Sequence, residues 1–313
     1  MTQDRPFLGI LLMLGFCALI PLSDALGKVL GATLPIAFIV LARVLVQFLL
    51  LTPLTLARNE SLLPARDVRW VIVIRTILYI TGIGLMFTSL RYLPLADAVA
   101  IAFVMPFIML LLGHWYLQEE VGARRLIACA IGFCGTLMVV QPSFAEVGAP
   151  ALLPLAVALI FAVFMLLTRQ IAKKTDPIAL QAMSGGLAVA ILVPLLGLGS
   201  ALGLADLRFA PIVTAGEARL LLAMASIGTL AHLLMTWSLR FAPSATLAPM
   251  QYLEIPFATL VGFLIFREWP NGLAALGILV TMAAGLYIIA RERQAPRQAP
   301  QAAMKREGHD GPR

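Results

Sequence analysis

SLRYLP at residues 89–94 and SLRFAP at residues 238–243 are two versions of one hexapeptide. They share four of six residues and lie 149 positions apart. Glu119 and Glu268, each a short distance after one hexapeptide, repeat the same spacing of 149. The chain is therefore an internal duplication, and each half must form a similar set of secondary-structure elements.

The composition decides the environment of these halves. Hydrophobic residues make up 61% of the 313 residues, and charged residues only 12%. A water-exposed surface needs a larger charged fraction, so this composition is typical of a membrane protein. A spanning helix needs about 20 apolar residues, which allows about nine or ten crossings. Too little chain remains for a soluble catalytic, nucleotide-binding or receptor domain.

Ten apolar segments, bounded by charged residues or by Pro and Gly, follow along the chain. They lie at about 7–28, 35–57, 70–90, 95–116, 123–140, 151–169, 176–199, 219–240, 244–266 and 271–290. The runs are continuous rather than alternating, which favours helices over the strands of a membrane barrel. The sequence therefore predicts an all-α membrane protein with ten transmembrane helices in two five-helix repeats, 7–140 and 151–290.

Five is an odd number of crossings, so the two repeats must enter the membrane from opposite sides. Pro106 and Pro256, 150 positions apart, fall in equivalent helices. Inverted repeats with interrupted helices are typical of secondary transporters, whose site lies near the bilayer midplane between the repeats. The alternative is a duplicated membrane scaffold or sensor without transport activity.

The charge distribution predicts the topology. The chain has 23 Lys and Arg against 16 Asp and Glu, a net charge of +7. Basic residues collect in cytoplasmic loops, so this excess indicates orientation rather than a nucleic-acid-binding surface. With both termini cytoplasmic, sixteen basic residues lie inside and five outside. Residues 291–313, rich in Gln, Ala, Pro and Arg, predict a disordered cytoplasmic tail.

Glu254 is the clearest ionisable residue inside a span, about 15 Å from one end and 18 Å from the other. A charge at this depth costs about 2.5 to 3.5 kcal/mol even on lenient scales, so it needs a reason. Gln251 lies on the same helix face, and Tyr252 adds a phenol. We predict that these three residues bind substrate and that Glu254 is a candidate proton carrier. The alternative is a structural ion pair of Glu254 with Arg43 or Arg75.

Arg43 lies about 12 Å inside the second span, too deep to reach water easily. Arg75 lies about one turn from the cytoplasmic end of the third span, and Tyr79 follows four residues later on the same face. We predict that Arg43, Arg75 and Tyr79 line or support the site. For Arg75 the alternative is snorkelling to the interface.

Two further residues are candidates for proton coupling or a gate. Asp24 lies four residues before Lys28 near the outer end of the first helix, a spacing that allows a local ion pair, with a simple marker of the membrane interface as the alternative. His232, near the middle of the eighth span, titrates near neutral pH and is a candidate proton relay, with a packing role as the alternative. We found no metal-ligand set, nucleophile–base pair or phosphate-binding loop in the sequence, so we expect no metal, no cofactor and no enzymatic activity.

The chain resembles the drug/metabolite transporter superfamily, in the EamA type with ten helices in two five-helix repeats. The resemblance covers about residues 7–290. It rests on Arg43, SLRYLPLADA at 89–98, Pro106, Glu119 and their echoes in the second half.

Within the superfamily, SDALGKVLG at 23–31 and APMQYLEIPFATLVGFLIFREWP at 248–270 are similar to S-adenosylmethionine importers, together with Arg43 and Arg75. The general character is also similar to bacterial riboflavin transporters. The resemblance implies a multi-pass protein of the bacterial inner membrane whose partners are a small-molecule substrate and the lipid bilayer. The oligomeric state stays open, with a homodimer as one expectation.

The residues themselves narrow the cargo. A midplane carboxylate with a phenol and an amide suits a cation or a polyhydroxylated heteroaromatic solute, whereas an anionic phosphate would need unpaired Arg. If Arg43 neutralises Glu254, a neutral vitamin such as riboflavin fits better than S-adenosylmethionine. We therefore expect import of a riboflavin-like metabolite by alternating access, with S-adenosylmethionine, amino acids or other metabolites, imported or exported, as alternatives.

Overall fold

The computed structural model describes residues 5–63, 65–118, 122–210, 212–269 and 272–294. These ranges contain twelve α-helices and one short 3-10 helix, Ala149–Leu152, and no strand. The helices are α1 Pro6–Gly31, α2 Ile36–Ala57, α3 Arg69–Ser89, α4 Leu95–Ala102, α5 Met105–Leu117, α6 Ala123–Val147, α7 Leu153–Ala172, α8 Pro177–Ala201, α9 Ala215–Phe241, α10 Ser244–Gln251, α11 Glu254–Phe266 and α12 Gly272–Gln294. The prediction of an all-helical protein is confirmed for this part of the chain.

Seven helical segments within the described ranges are long and apolar enough to cross a membrane. They are Pro6–Gly31, Ile36–Ala57, Arg69–Ser89, Leu95–Leu117, Ala149–Ala172, Pro177–Ala201 and Ala215–Phe241. Three shorter apolar stretches are also present: Leu126–Met138, Glu254–Phe266 and Ala275–Ala284. The predicted tail falls mostly outside the described residues, since α12 ends at Gln294 and nothing beyond is described.

The duplication is visible in the element boundaries. α4 and α10 both have 8 residues, α5 and α11 both have 13, and each second copy begins 149 residues after the first. α6 and α12 begin with the same offset. Even the helix ends match, because Gln118 after α5 and Arg267 after α11 both have the left-handed backbone, with φ of 53° and 60°. The two halves therefore fold alike over these three elements.

Two apolar segments predicted as single spans are broken into half-helices. The breaks lie at residues 103–104, between α4 and α5, and 252–253, between α10 and α11. Each break directly precedes the first turn of a helix that carries Pro106 or Pro256. Proline has no N–H to donate to the preceding turn, and it is tolerated in a first turn, where that donor has no helical partner. The prolines thus explain where each span is interrupted.

Packing pairs a helix of one half with a helix of the other. α1 packs mainly on α9 and α3 on α7, while α2 packs on α8 and α6 on α12. In the duplication, α1, α2, α3 and α6 correspond to α7, α8, α9 and α12. Exchanging the two halves therefore turns the α1–α9 contact into the α7–α3 contact. The same exchange leaves the α2–α8 and α6–α12 contacts unchanged. This exchange is the pattern of a pseudo-twofold axis between the halves.

The outer surface is apolar. Leu49, Leu198 and Leu264 are each 59% exposed. Trp70 is exposed in the first turn of α3, and Trp269 just after α11. An apolar surface with exposed tryptophans near helix ends is typical of a helix bundle embedded in lipid.

We predict that Gly135→Ala destabilises the protein. A Cβ at Gly135 in α6 would lie 2.7 Å from the carbonyl oxygen of Gly277 in α12, and backbone cannot move aside as a side chain can. Overpacking of this kind costs about 1 to 3 kcal/mol. The measurement is the thermal unfolding midpoint of the purified protein in detergent.

The matched control is Gly84→Ala, since a Cβ there has no neighbour within 4 Å. Removing a helical glycine should leave that variant equal to or slightly more stable than the wild type. Equal midpoints for the two variants would contradict close packing of α6 on α12.

Candidate functional site

A cavity of about 60 Å³ lies between the two halves. Its four ionisable lining residues are Asp24, Arg43, His232 and Glu254. The other lining residues are aromatic or apolar: Phe16, Ile20, Ile83, Met86, Val99, Ala102, Phe103, Met105, Val157, Ala158, Phe161, Met165 and Met235.

Glu254 is the first residue of α11, directly after the broken backbone. The first turn of a helix has backbone N–H groups without helical partners, and these favour a negative charge. The equivalent residue of the first half, at the start of α5, is Met105, which also lines the cavity. The two half-helices therefore begin at one cavity, and only the second begins with an acid.

Asp24 supplies the second carboxylate. Phe16, Ile20 and Asp24 recur every four residues on α1 and share the cavity wall. Asp24 lines the same cavity as Glu254 and Arg43. Among the described residues, no cation lies within 4.0 Å of the Glu254 carboxylate, so the alternative of a direct ion pair with Arg43 or Arg75 is not formed.

Arg43 is 1% exposed and is held by neutral groups. Its Nη1 donates to the Ser23 hydroxyl at 2.7 Å, and its Nη2 lies 3.2 Å from His232 Nδ1. Gly228 makes room for the guanidinium, because a Cβ there would lie 2.6 Å from the Arg43 Cζ. α1, α2 and α9 thus meet at one buried cation.

His232 is equally buried, and its ring is enclosed by aromatic side chains. The ring centroid lies 5.6 Å from that of Phe16 and 4.9 Å from that of Tyr79, both in edge-to-face geometry. Nδ1 lies 3.0 Å from the Gly228 carbonyl oxygen as well as near Arg43. Nε2 has no hydrogen-bond partner in the described protein.

Arg75 does not snorkel but is fully buried beyond the cavity. Its Nε donates to the Thr168 hydroxyl and its Nη1 to the Ser184 hydroxyl, both at 2.7 Å. Its Cζ lies 4.6 Å from the ring centroid of Phe164, close enough for a cation–π interaction. Arg75 therefore joins α3 to α7 and α8 rather than facing the cavity.

A chain of hydrogen bonds links buried polar side chains of α3, α2, α8 and α9. Tyr79 donates to Gln47 Oε1 at 3.0 Å, and Gln47 Nε2 donates to the Gln181 backbone carbonyl at 2.8 Å. Gln181 Nε2 donates to the Thr236 hydroxyl at 2.8 Å. We call these four residues with Arg75 the Arg75 layer. The hydrogen bonds from Tyr79 to Thr236 join α3, α2, α8 and α9, while Arg75 bonds separately to Thr168 and Ser184.

Gln251 and Tyr252 lie behind the cavity wall. The Tyr252 hydroxyl donates to the Cys129 carbonyl at 3.1 Å, and Gln251 Nε2 lies 3.6 Å from the sulfurs of Met109 and Met165. Of the six predicted substrate-binding residues, Arg43 and Glu254 line the cavity, while Gln251, Tyr252, Arg75 and Tyr79 surround it. Their role in binding remains a prediction.

The predicted pair of Asp24 with Lys28 is wrong. Lys28 forms an ion pair with Glu268 at 2.5 Å and donates to the Leu93 carbonyl at 3.1 Å. Glu268 also accepts from the backbone N–H of Leu95 at 2.9 Å. Helical spacing alone predicted the local pair, whereas tertiary packing brings a more distant acid within reach. The cluster lies one turn beyond Asp24 on α1.

Sequence reasoning missed most of the apolar lining. Phe16, Phe161, Met86 and Met165 face the cavity, but apolar residues occur on every side of every span, so composition could not single them out. The aromatic and thioether lining gives the site a soft, polarisable wall suited to a flat aromatic ligand.

The EamA-like transporter family matches residues 7–141 and 149–291, the two halves in turn. The chain belongs to this family. This EamA-like transporter is 28% identical over 229 residues to a riboflavin transporter of Rhizobium johnstonii, covering 73% of each chain.

It is 23% identical over 273 residues to an S-adenosylmethionine uptake transporter of Rickettsia bellii, covering 87% of this chain and 90% of the relative. A solved crystal structure shares the fold with a TM-score of 0.66 at 17% identity, over 92% of this chain and 98% of that one. The chain is therefore a multi-pass membrane protein of a transporter family.

We predict that Gln47→Leu destabilises the transporter by about 1 to 3 kcal/mol, because it leaves the Tyr79 hydroxyl and Gln181 Oε1 buried without partners. Adding Tyr79→Phe removes one of the stranded groups and should recover about 1 kcal/mol. Thermal unfolding of Gln47→Leu, Tyr79→Phe and the double variant in detergent measures this coupling. Strictly additive losses would contradict the hydrogen bond between Tyr79 and Gln47.

Proposed function

We propose that the protein is a secondary transporter, not an enzyme, that moves a small heteroaromatic metabolite by alternating access between two inverted five-helix repeats. The cavity between the repeats, with its two carboxylates, is the observation that carries this proposal. A transporter needs such a central site, closed in turn at either end.

The protein has ten membrane spans if α4 with α5, and α10 with α11, are each counted as one span. The seven long segments and the three shorter apolar stretches then supply five spans to each repeat. Broken fourth spans in both repeats are the interrupted helices that transporter sites use.

Helix directions support the inversion. Arg91, just after α3, donates to the Gly31 carbonyl at the end of α1, so α1 and α3 run parallel. Arg75, near the start of α3, contacts Thr168 near the end of α7, so α3 and α7 run antiparallel. α7 therefore runs opposite to α1, its equivalent in the first repeat. The distribution of basic residues supports cytoplasmic termini in a bacterial inner membrane.

Riboflavin is our leading substrate. Aromatic and methionine side chains offer faces for a flat ring system, and four ionisable groups offer hydrogen bonds to its polar edge. The similarity to riboflavin transporters adds to this choice. We assign Glu254 and Arg43 to direct contact, and Gln251, Tyr252, Arg75 and Tyr79 to binding or support. Asp24 and Glu254 are the candidates for proton coupling.

S-adenosylmethionine is the second candidate, for one specific reason. Asp24 and Glu254 face the cavity together against the single cation Arg43, and this balance of charges favours a positively charged ligand. The similarity to S-adenosylmethionine uptake transporters points the same way.

Uptake into proteoliposomes tests the proposal. We expect saturable uptake of labelled riboflavin, competed by unlabelled riboflavin and not by S-adenosylmethionine. The reverse pattern would make the second candidate correct. No uptake of either solute, or of a panel of vitamins and amino acids, would favour a scaffold or sensor.

Glu254→Gln should lower uptake at least about tenfold, since it removes a charged partner worth about 1.5 to 3 kcal/mol. The purified variant should remain folded, because its shape is unchanged. Glu60→Gln is the matched control, as Glu60 lies in an exposed loop away from the cavity. Normal uptake by Glu254→Gln would remove this residue from the mechanism.

The Lys28–Glu268 cluster should act as a closure of one end. We predict that Glu268→Gln speeds labelling of Met86→Cys in the cavity by a membrane-impermeant maleimide, with the three native cysteines replaced by Ser. The Lys28 and Glu268 side chains are 17% and 27% exposed, and at about 1 kcal/mol for the ion pair the rate should rise about fivefold.

The glutamine still accepts from the Leu95 N–H, so only the ion pair is lost. Glu60→Gln in the same background controls for the loss of a charge. Unchanged labelling with Glu268→Gln would exclude the ion pair as a closure.

A further inference from the structure

His232 has one ring nitrogen occupied and the other unpartnered. The residue is 1% exposed and lines the cavity. Nδ1 contacts Arg43 and the Gly228 carbonyl, whereas Nε2 has no hydrogen-bond partner in the described protein. A buried polar atom left this way costs free energy, which a ligand in the cavity can recover.

The neighbours of Nδ1 decide which nitrogen carries the proton. The Arg43 guanidinium is always protonated and only donates, so Nδ1 can bond it only with a lone pair. A charge-assisted hydrogen bond is about twice as strong as a neutral one. The competing acceptor, the Gly228 carbonyl, lies four residues before His232 in α9 and already accepts that residue's backbone N–H. Nδ1 therefore faces Arg43 as an acceptor, and the proton lies on Nε2.

The ring is held in place from several sides. Phe16 and Tyr79 contact it edge to face, at centroid distances of 5.6 and 4.9 Å. Gly228 lets Arg43 approach, and Ser23 fixes the other side of the guanidinium. A fixed donor on the cavity wall is what orients a ligand by its hydrogen-bonding edge.

We propose that neutral His232 donates its Nε2–H to an acceptor on the substrate, a ring nitrogen or carbonyl oxygen of a heteroaromatic ring. Arg43 is a positioning residue that selects this tautomer. The inference rests on the proposed transport function and gives His232 a binding role instead of proton relay. The site then prefers ligands with an acceptor on the ring edge.

Nitrogen NMR of the imidazole tests the tautomer without any substrate. The chain has three histidines, so His114→Gln with His309→Gln leaves only His232. We expect the ¹⁵N shifts of a neutral ring protonated on Nε2. A ring protonated on Nδ1, or on both nitrogens, would overturn the proposal.

Two substitutions separate the functions of the two nitrogens. His232→Gln places an amide N–H near the Nε2 site but loses the acceptor for Arg43, whereas His232→Asn keeps that acceptor and loses the cavity donor. We expect riboflavin binding to the purified transporter, measured by quenching of flavin fluorescence, to weaken about tenfold in His232→Asn and clearly less in His232→Gln. His114→Gln, a histidine away from the cavity lining, should bind like the wild type.

The opposite order would show that His232 acts only by holding Arg43 and would overturn the donor role. If the wild type does not bind riboflavin, the proposed substrate is wrong. The NMR measurement then still reports the tautomer of His232. A variant that unfolds is recognised from its thermal unfolding midpoint, and the tautomer then decides the proposal.

Discussion

A carboxyl group in the middle of an apolar bundle constrains everything around it. Glu254 satisfies this constraint by beginning a half-helix, where free backbone N–H groups replace the water that the bilayer excludes. The break before α11 creates that helix start, and Pro256 in the first turn accounts for the break. Because no cation lies within 4.0 Å of Glu254 among the described residues, the carboxylate is left available to a ligand.

The other polar groups are distributed so that neither half completes the site alone. Arg43 comes from α2, but its partner His232 comes from α9. Asp24 lies on α1, and Glu254 on α11. The hydrogen bond of Arg75 to Thr168 and the Lys28–Glu268 ion pair also join the two halves. Relative movement of the halves would therefore alter the site and both of these contacts together.

The sequence predicted local boundaries better than tertiary contacts. The repeated hexapeptides end in prolines, and α4 and α10 begin at Leu95 and Ser244 as expected, because proline suits the residue before a helix. Glu254 stood out because a charge is rare in a span. The partner expected for Lys28 was wrong. Asp24 is only four residues away in the sequence, whereas Glu268 is 240 residues away and comes within reach of Lys28 only after folding. The aromatic cavity wall was invisible, because most faces of these helices are apolar.

The central claim is that a ligand binds between the repeats against the carboxylate of Glu254. An experimental structure of the transporter with riboflavin or S-adenosylmethionine in excess tests it most directly. We expect ligand density in the cavity between the halves, in contact with Glu254 and His232. Density only at the outer surface, or a Glu254 side chain turned toward lipid with the cavity filled by protein, would contradict the account.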